Sequence, residues 1–425
     1  MSNISRTEIA KGVHFCSFSD ARYFTNRISV NFITTLAEKT ASPNALVPNL
    51  LKQSSTSLPS FTLLNKKLSE LYGASLAGYV RRIGDSQSIC LAIESIDNSF
   101  ALDNEDIAAE LCNILADCLF SPVLENGKFP ADVFKLEKQN LIDDIEAEIN
   151  EKRSYAVHRT EAITCAGEPY GVGRLGSKQS AEAMTNDDVY SAYTDMLSTA
   201  KVEIICVGKG QFDTIQSILA NRFSKLNRGE VKHFGSMLSP AHSTVIKETE
   251  KIEVNQSKLV MSFKSDNTDT TANTLMVNLY GGTANSKLFL NVRERLSLCY
   301  YCAARFDPEK GLMLVDCGVE NENISKAHDE ILAQLTAVQN GEVSEREIDE
   351  ARLDFITSLR GIGDKPSQVE NWYLQRIYRG ENITPEELVE KLQTVTAAQI
   401  VACAKAMKLD TVFVLTGAST AKEGE

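Results

Sequence analysis

One plan of strands and helices occurs twice along this chain, and a duplication of that kind constrains the architecture more than any single motif. The segment LSELYGASLAGYVRRIGDSQSICLAIES, Leu68 to Ser95, reads as an apolar strand, a turn and a second strand of alternating character. VRERLSLCYYCAARFDPEKGLMLVDCGVE, Val292 to Glu320, repeats it at an offset of roughly 220 residues. A helix containing Ile114, Leu115 and Ala116 follows the first copy, and one containing Ile331, Leu332 and Ala333 follows the second. Each leads through a Gly-containing turn into a long charged helix, GKFPADVFKLEKQNLIDDIEAEIN or GEVSEREIDEARLDFITSLRG, with apolar residues every three or four positions. The copies also close alike: the helix starts MTNDDVYSAY and VTAAQIVACA precede the strands within Leu197 to Gly208 and Met407 to Gly417. These elements predict an α+β fold of two homologous domains, each a mainly antiparallel sheet with helices packed on one face. The first spans 1–225, a linker rich in Gly, Pro, Ser and Asn spans 226–248, and the second spans 249–425. The two halves are expected to form a clam-like half shell around a cavity.

Composition narrows the function. The chain has 425 residues, 43% hydrophobic and 24% charged, with only 23 Gly and 10 Pro, so it is expected to fold throughout as more than one core. A net charge of -13 with scattered Lys and Arg repels phosphate backbones and excludes nucleic acid as a partner. No apolar run reaches the length of a membrane span, and the start MSNISRTEIAKGVHF lacks the apolar centre of a secretory signal, so a cytoplasmic location is expected. Most of the ten Cys stand singly in apolar runs such as SICLAIES and VEIICVG and read as reduced, buried thiols. Cys299 and Cys302 form one Cys-x-x-Cys without the second pair or nearby His that a structural zinc needs, so they too read as core thiols.

The most specific stretch is GGTANSKLFLNVRERLSLCYY, Gly281 to Tyr301. Its Gly-Gly turn, Leu-Phe, Val-Arg-Glu and Tyr spacing resembles the second-half signature of the insulinase/pitrilysin family of zinc peptidases, the inverzincins. EKRSYAVHRTEAITCAGEPYGVGRLG and VSEREIDEARLDF are similar to further parts of that family, and the resemblance runs from about Ser29 to Gly417. Active members carry His-x-x-Glu-His early in the first half, with a distant Glu as third ligand; the two His bind Zn²⁺ and the Glu acts as base on the bound water. The matching stretch here, NALVPNLLKQSSTS, has neither His nor carboxylate, and Pro48 would disturb a helix there. The five His (His14, His158, His233, His242, His328) include no pair at ligand spacing with a Glu between them. Glu146 and Glu148 stand where the third ligand is expected, but read as acids on a solvated helix face. No metal is therefore expected on this chain.

The resemblance implies that Arg293 and Tyr300 contact substrate beside the scissile bond, Tyr300 rather than Tyr301 fitting the Arg-to-Tyr interval, with Gly281 and Gly282 as further substrate-binding positions. A guanidinium and a phenol both donate hydrogen bonds to a carbonyl or to the oxyanion it becomes. Without the resemblance, Arg293 would read as paired to Glu294 and Tyr300 as a residue at a strand edge. The chain is thus expected to be most like the non-catalytic subunit of the bacterial two-subunit, processing-peptidase-like members. It would grip an extended, unfolded peptide while a homologous partner with His-x-x-Glu-His carries the zinc, and the isolated chain would be inactive. A scaffold or peptide-binding chaperone, a homodimer of the isolated chain and an independent zinc enzyme with unconventional ligands stand as alternatives.

Overall fold

The computed structural model describes residues 5–231 and 235–417. The linker residues 232–234, His233 among them, lie outside the described residues, as do the ends 1–4 and 418–425 of the expected domains. In the first repeat, strands β1 (Ser5–Ala10), β2 (Val13–Ser19) and β3 (Thr25–Thr35) precede helices α1 (Glu38–Leu51) and α2 (Phe61–Glu70). The hairpin β4 (Ser75–Ile83) and β5 (Ser86–Ile96) leads into α3 (Ile107–Phe120), α4 (Ala131–Ala147) and α5 (Lys152–Thr164). Helices α6 (Lys178–Ala183) and α7 (Asn186–Thr199), strand β6 (Lys201–Gly208) and α8 (Asp213–Phe223) complete it.

The second repeat follows the same order. It runs through β7 (Ile246–Lys251), β8 (Ser257–Lys264), α9 (Thr270–Val277) and the hairpin β9 (Cys299–Asp307) and β10 (Leu312–Val319). Helices α10 (Ile324–Gln339), α11 (Glu345–Gly361), α12 (Pro366–Tyr378), α13 (Pro385–Gln393) and α14 (Ala397–Ala406) then precede β11 (Lys408–Thr416). Apart from β1, which has no counterpart, the six-stranded and five-stranded sheets match strand for strand. One has the order β1-β2-β6-β3-β5-β4 and the other β7-β11-β8-β10-β9; β2 with β6 and β7 with β11 are the parallel pairs, and every other pairing is antiparallel. The expected α+β class with a mainly antiparallel sheet in each repeat is what the chain forms.

Local chemistry explains where equivalent helices begin. Thr185 and Asp188 form a reciprocal capping box at α7, and Thr396 and Gln399 do the same at α14, so two backbone N–H groups at each helix start are satisfied by the sequence itself. Helix α1 is different. It continues through Pro43 and Pro48, each of which removes a helical hydrogen bond at a cost of about 3 kcal/mol or more. Near-complete burial of Leu46, Val47, Leu50 and Leu51 offsets that cost, at about 1.5–3 kcal/mol per apolar side chain.

The compact units cut across the repeats. One comprises Met1–Glu146, Val172–Gly235 and Ile362–Thr384; the other comprises Ala147–Gly171, Ser236–Gly361 and Pro385–Glu425. The predicted limits 1–225, 226–248 and 249–425 follow the order of the repeats, whereas packing places α12 in the first unit and α5 in the second. Within the first unit, the alternation of β3 sends Ile28, Val30 and Phe32 into the core shared with the helical layer. Arg27, Ser29 and Asn31 point to the other face, where α12 lies. There the carboxylate of Glu370, only 1% exposed, accepts hydrogen bonds from Arg27 and, at 2.5 Å, from Arg81. Arg27 also donates to Glu94 at 2.5 Å and to the Tyr79 hydroxyl at 2.7 Å, and Phe18 stacks on Tyr373.

Within the second unit, α5 packs Ala156 and Val157 against Val260, Leu314, Phe413 and Leu415 of the sheet. Here the helix supplies the base: Arg153 donates to the buried carboxylate of Asp316 at 2.5 Å. Each sheet thus has a helical layer on one face and one further helix on the other.

Removing one member of a buried pair leaves the other charge desolvated and unpaired. Glu370→Ala is expected to lower unfolding stability by about 3–5 kcal/mol, read from the midpoint of urea denaturation. A loss below about 1 kcal/mol would mean that water reaches Arg27 and Arg81 without help from α12.

Candidate functional site

The stretch that the resemblance matches to the zinc motif begins in α1 and runs on past its end at Leu51, and its helical side chains are engaged. The Asn44 amide donates to the Gln87 Oε1 at 3.0 Å, and the Gln87 amide donates to the carbonyls of Ala41 and Arg174. Val47 is in the core. Pro48 lies so close to β4 that a Cβ added at Gly78 would meet its carbonyl oxygen at 2.4 Å. Amides and hydrocarbon offer none of the imidazole, thiolate or carboxylate donors that Zn²⁺ requires, so the residues present do not fit the ion. Of the two acids behind α1's sequence position, Glu146 pairs with Lys178 at the surface and Glu148 is half-buried on the turn after α4. Among the described residues no three His, Cys, Asp or Glu side chains are disposed to hold a metal ion.

The segment Gly281 to Tyr301 belongs entirely to the second unit. Asn278–Gly282 and Phe289–Arg295 wind as π-helical turns, a wide geometry that recurs at functional sites. Gly281 is buried where the first of these turns meets β9; a Cβ there would come within 2.7 Å of both Ala304 and Leu288. Gly282 is exposed beside Asn278. Arg293 sits on the second turn, 40% exposed, with its guanidinium carbon 4.5 Å from the Phe289 ring centre and its Nε 3.6 Å from Glu294. An exposed pair that long contributes little, so the guanidinium is held mainly by the ring.

β9 is the edge strand of its sheet, with no strand on its outer side among the described residues. Tyr301 stands opposite Gly318 while Cys299 stands opposite Val319, which makes Tyr300 the extra residue of a β-bulge. The bulge separates the two tyrosines. Tyr300 projects outward, 64% exposed. Tyr301 is turned inward beneath Arg153, 4.3 Å from its ring centre, and near Lys258, with its hydroxyl buried. The adjacent pair in sequence is thereby divided into one residue available at the surface and one committed to packing.

The bulge also gathers three thiols. Cys302 stands directly opposite Cys317, and the Cys299 thiol hydrogen-bonds with both. Cys302 and Cys317 are buried, but Cys299 is half-exposed, which departs from the reading of the Cys-x-x-Cys as core thiols alone. Hydrogen bonds from Cys302 and Cys317, joined by the Arg293 guanidinium, hold the Cys299 thiol well below its ordinary range despite partial burial. Arg293 thus acts on Cys299, the chain neighbour of Tyr300. Sequence reasoning had no means to add Cys317, because only the cross-strand register joins it to the other two.

Comparison with known proteins agrees with the fold. The family model described as "Peptidase M16 inactive domain" matches residues 183–354. A Bacillus subtilis protein named "Probable inactive metalloprotease YmfF" is 26% identical over 404 residues, covering 93% of this chain and 94% of that protein. The crystal structure of a conserved protein from Enterococcus faecalis, 25% identical, superposes with a TM-score of 0.87 over 100% of both chains. That of a peptidase M16 inactive domain from Pseudomonas fluorescens, 15% identical, does so with a TM-score of 0.80 over 98% of this chain and 99% of the other. With a zinc stretch that holds no ligand, a family model that matches residues 183–354 and a relative of nearly equal length, the chain is similar to the inactive, peptidase-like proteins of the insulinase-like M16 family.

Proposed function

We propose that this chain is the substrate-gripping subunit of a two-subunit zinc peptidase. A homologous partner carrying His-x-x-Glu-His binds the Zn²⁺ and performs the hydrolysis; this chain holds the peptide and presents Arg293 and Tyr300 to the reacting carbonyl. The observation that carries the reading is the exposure of both donors beside an unpaired strand edge, Tyr300 lifted outward by a bulge and Arg293 stacked loosely on Phe289. An unfolded peptide can add to β9 as a further strand. Main-chain hydrogen bonds then supply affinity with little demand on sequence. The guanidinium and phenol would stabilise the charge that develops on the carbonyl oxygen. Gly282 would allow close approach of the peptide backbone, with Gly281 beneath it setting the turn against β9. The ten cysteines, none of them in a disulfide, suit the reducing cytoplasm, and among the described residues no helix is long and apolar enough to cross a membrane.

A scaffold or peptide-binding chaperone is the second reading, favoured by the same free edge of β9, which binds extended peptide without Arg293 or Tyr300. The two readings separate in an assay of peptide cleavage by this chain mixed with a zinc-bearing homologue. Arg293→Ala is expected to lower kcat about 10²- to 10³-fold, the loss typical of one oxyanion donor, with a much smaller change in KM. A mutant complex with full activity would remove Arg293 from the mechanism, and a chain that binds peptide but never stimulates a homologue would leave the scaffold. Gly281→Ala separates packing from contact: it is expected to destabilise the chain by about 1–3 kcal/mol through crowding against Ala304 and Leu288, measured by thermal or urea unfolding. An unaltered stability would mean that the turn relaxes away from β9.

A further inference from the structure

We propose that Cys299 is a site of reversible oxidation, closed as a disulfide with Cys302 across the bulge of β9. The inference stands apart from the peptide-holding reading and does not depend on it. In a regular strand, residues three apart point to opposite faces. Here Tyr300 is the extra residue, so Cys299 and Cys302 lie opposite Val319 and Cys317, two residues apart on β10, and share a face. That pairing also sets their separation. Two steps of strand correspond to roughly 6.7 Å between Cα atoms, inside the upper limit of about 6.8 Å for a disulfide. Their thiols are hydrogen-bonded to each other and to Cys317.

The three thiols are not alike. Cys299 alone is half-exposed, and the charged group acting on it is the guanidinium of Arg293. Hydrogen bonds donated by the other two thiols favour its thiolate, while Cys302 and Cys317 are held protonated by donating to it and by their burial. Of the other titratable groups nearby, the Tyr280 hydroxyl donates to the Ile331 carbonyl, while Asp316, paired with Arg153, and Lys258, over the Tyr301 ring, act on Cys317 rather than on Cys299. The buried cysteines elsewhere, such as Cys16, Cys112 and Cys118, are pushed up to about 12 by desolvation and remain inert thiols. An accessible thiolate beside a resolving thiol is the arrangement that redox-sensitive cysteines require.

The chemistry takes a peroxide as oxidant. The Cys299 thiolate attacks one oxygen of hydrogen peroxide, breaking the O–O bond to give the sulfenic acid and hydroxide. The Cys302 sulfur then attacks the Cys299 sulfur; the S–S bond forms, the S–OH bond breaks, and the thiol proton leaves with the hydroxyl as water. A small dithiol reverses the step by thiol–disulfide exchange.

Trypsin makes the test direct, because Cys299 and Cys302 fall in one peptide, Leu296 to Arg305, while Cys317 falls in another, Gly311 to Lys326. The full chain is treated with near-equimolar hydrogen peroxide, blocked with iodoacetamide, digested and weighed. The expected result is a Leu296–Arg305 peptide about 2 Da lighter than its reduced, unalkylated form, with dithiothreitol restoring both thiols. Cys302→Ser should stop the reaction at a sulfenic acid on Cys299 that dimedone traps. A second measurement needs no variant: alkylation of Cys299 by iodoacetamide should change less than about twofold between pH 6 and pH 8, whereas an ordinary thiol slows roughly 80-fold over that range. Recovery of both cysteines as alkylated thiols, a link to the Cys317 peptide, or an ordinary fall in Cys299 alkylation at pH 6 would each overturn the proposal.

Discussion

Glu370 is a carboxylate with almost no access to water, and its position between Arg27 and Arg81 governs how the first unit is built. The strands of that sheet are apolar on one face and carry Arg27, Asn31, Arg81 and Glu203 on the other. Such a face can be neither left dry and unpaired nor covered by hydrocarbon, because each uncompensated charge would cost several kcal/mol. Helix α12 covers it with a single acid that pairs with two guanidinium groups, and Arg6 pairs with Glu203 through two hydrogen bonds at 3.0 and 2.6 Å. The second unit solves the same problem with the signs reversed, Arg153 on α5 meeting Asp316 on β10. The requirement to pair buried charge thus explains why each unit includes a helix that the order of the repeats assigns elsewhere.

The two repeats of the plan differ in character. In the first, the helix where the resemblance to active zinc peptidases would place metal ligands is structural: Asn44 is tied to Gln87, Val47 fills core volume and Pro48 packs on Gly78. In the second, a run of irregular backbone has been kept. Two π-helical turns and a bulged edge strand hold Arg293 and Tyr300 at the surface, and both features interrupt regular hydrogen bonding in ways that ordinary packing does not demand. Irregularity beside Arg293 and Tyr300, and filled volume where zinc ligands would stand, are why the proposed function is placed on the second unit.

Much of this was legible in the chain because it depends on nearest neighbours. The hairpins, the paired long helices and the caps at Thr185 and Thr396 follow from periodicities and residue types within a few positions of one another. The unsuitability of α1 for zinc was legible for the same reason, since ligand chemistry is a property of residue type. What could not be read were contacts whose partners are far apart in sequence. Nothing near Arg27 announces Glu370, and nothing near Cys302 announces Cys317. Pro48 misled in a similar way: locally it opposes a helix, and only the burial of its neighbours outweighs that preference.

The amino-acid sequence by itself determined the duplicated α+β plan, the absence of imidazole and carboxylate from residues 44–57, and the Arg293 to Tyr300 spacing, because all three are matters of local order and composition. Only the tertiary structure decided that α5 and α12 cover sheets outside their own repeats, that Tyr300 rather than Tyr301 faces outward, and that three thiols meet beside Arg293. The physical reason is strand register. One additional residue in β9 reverses which side chains share a face, and that additional residue becomes identifiable only when the partner strand is in place.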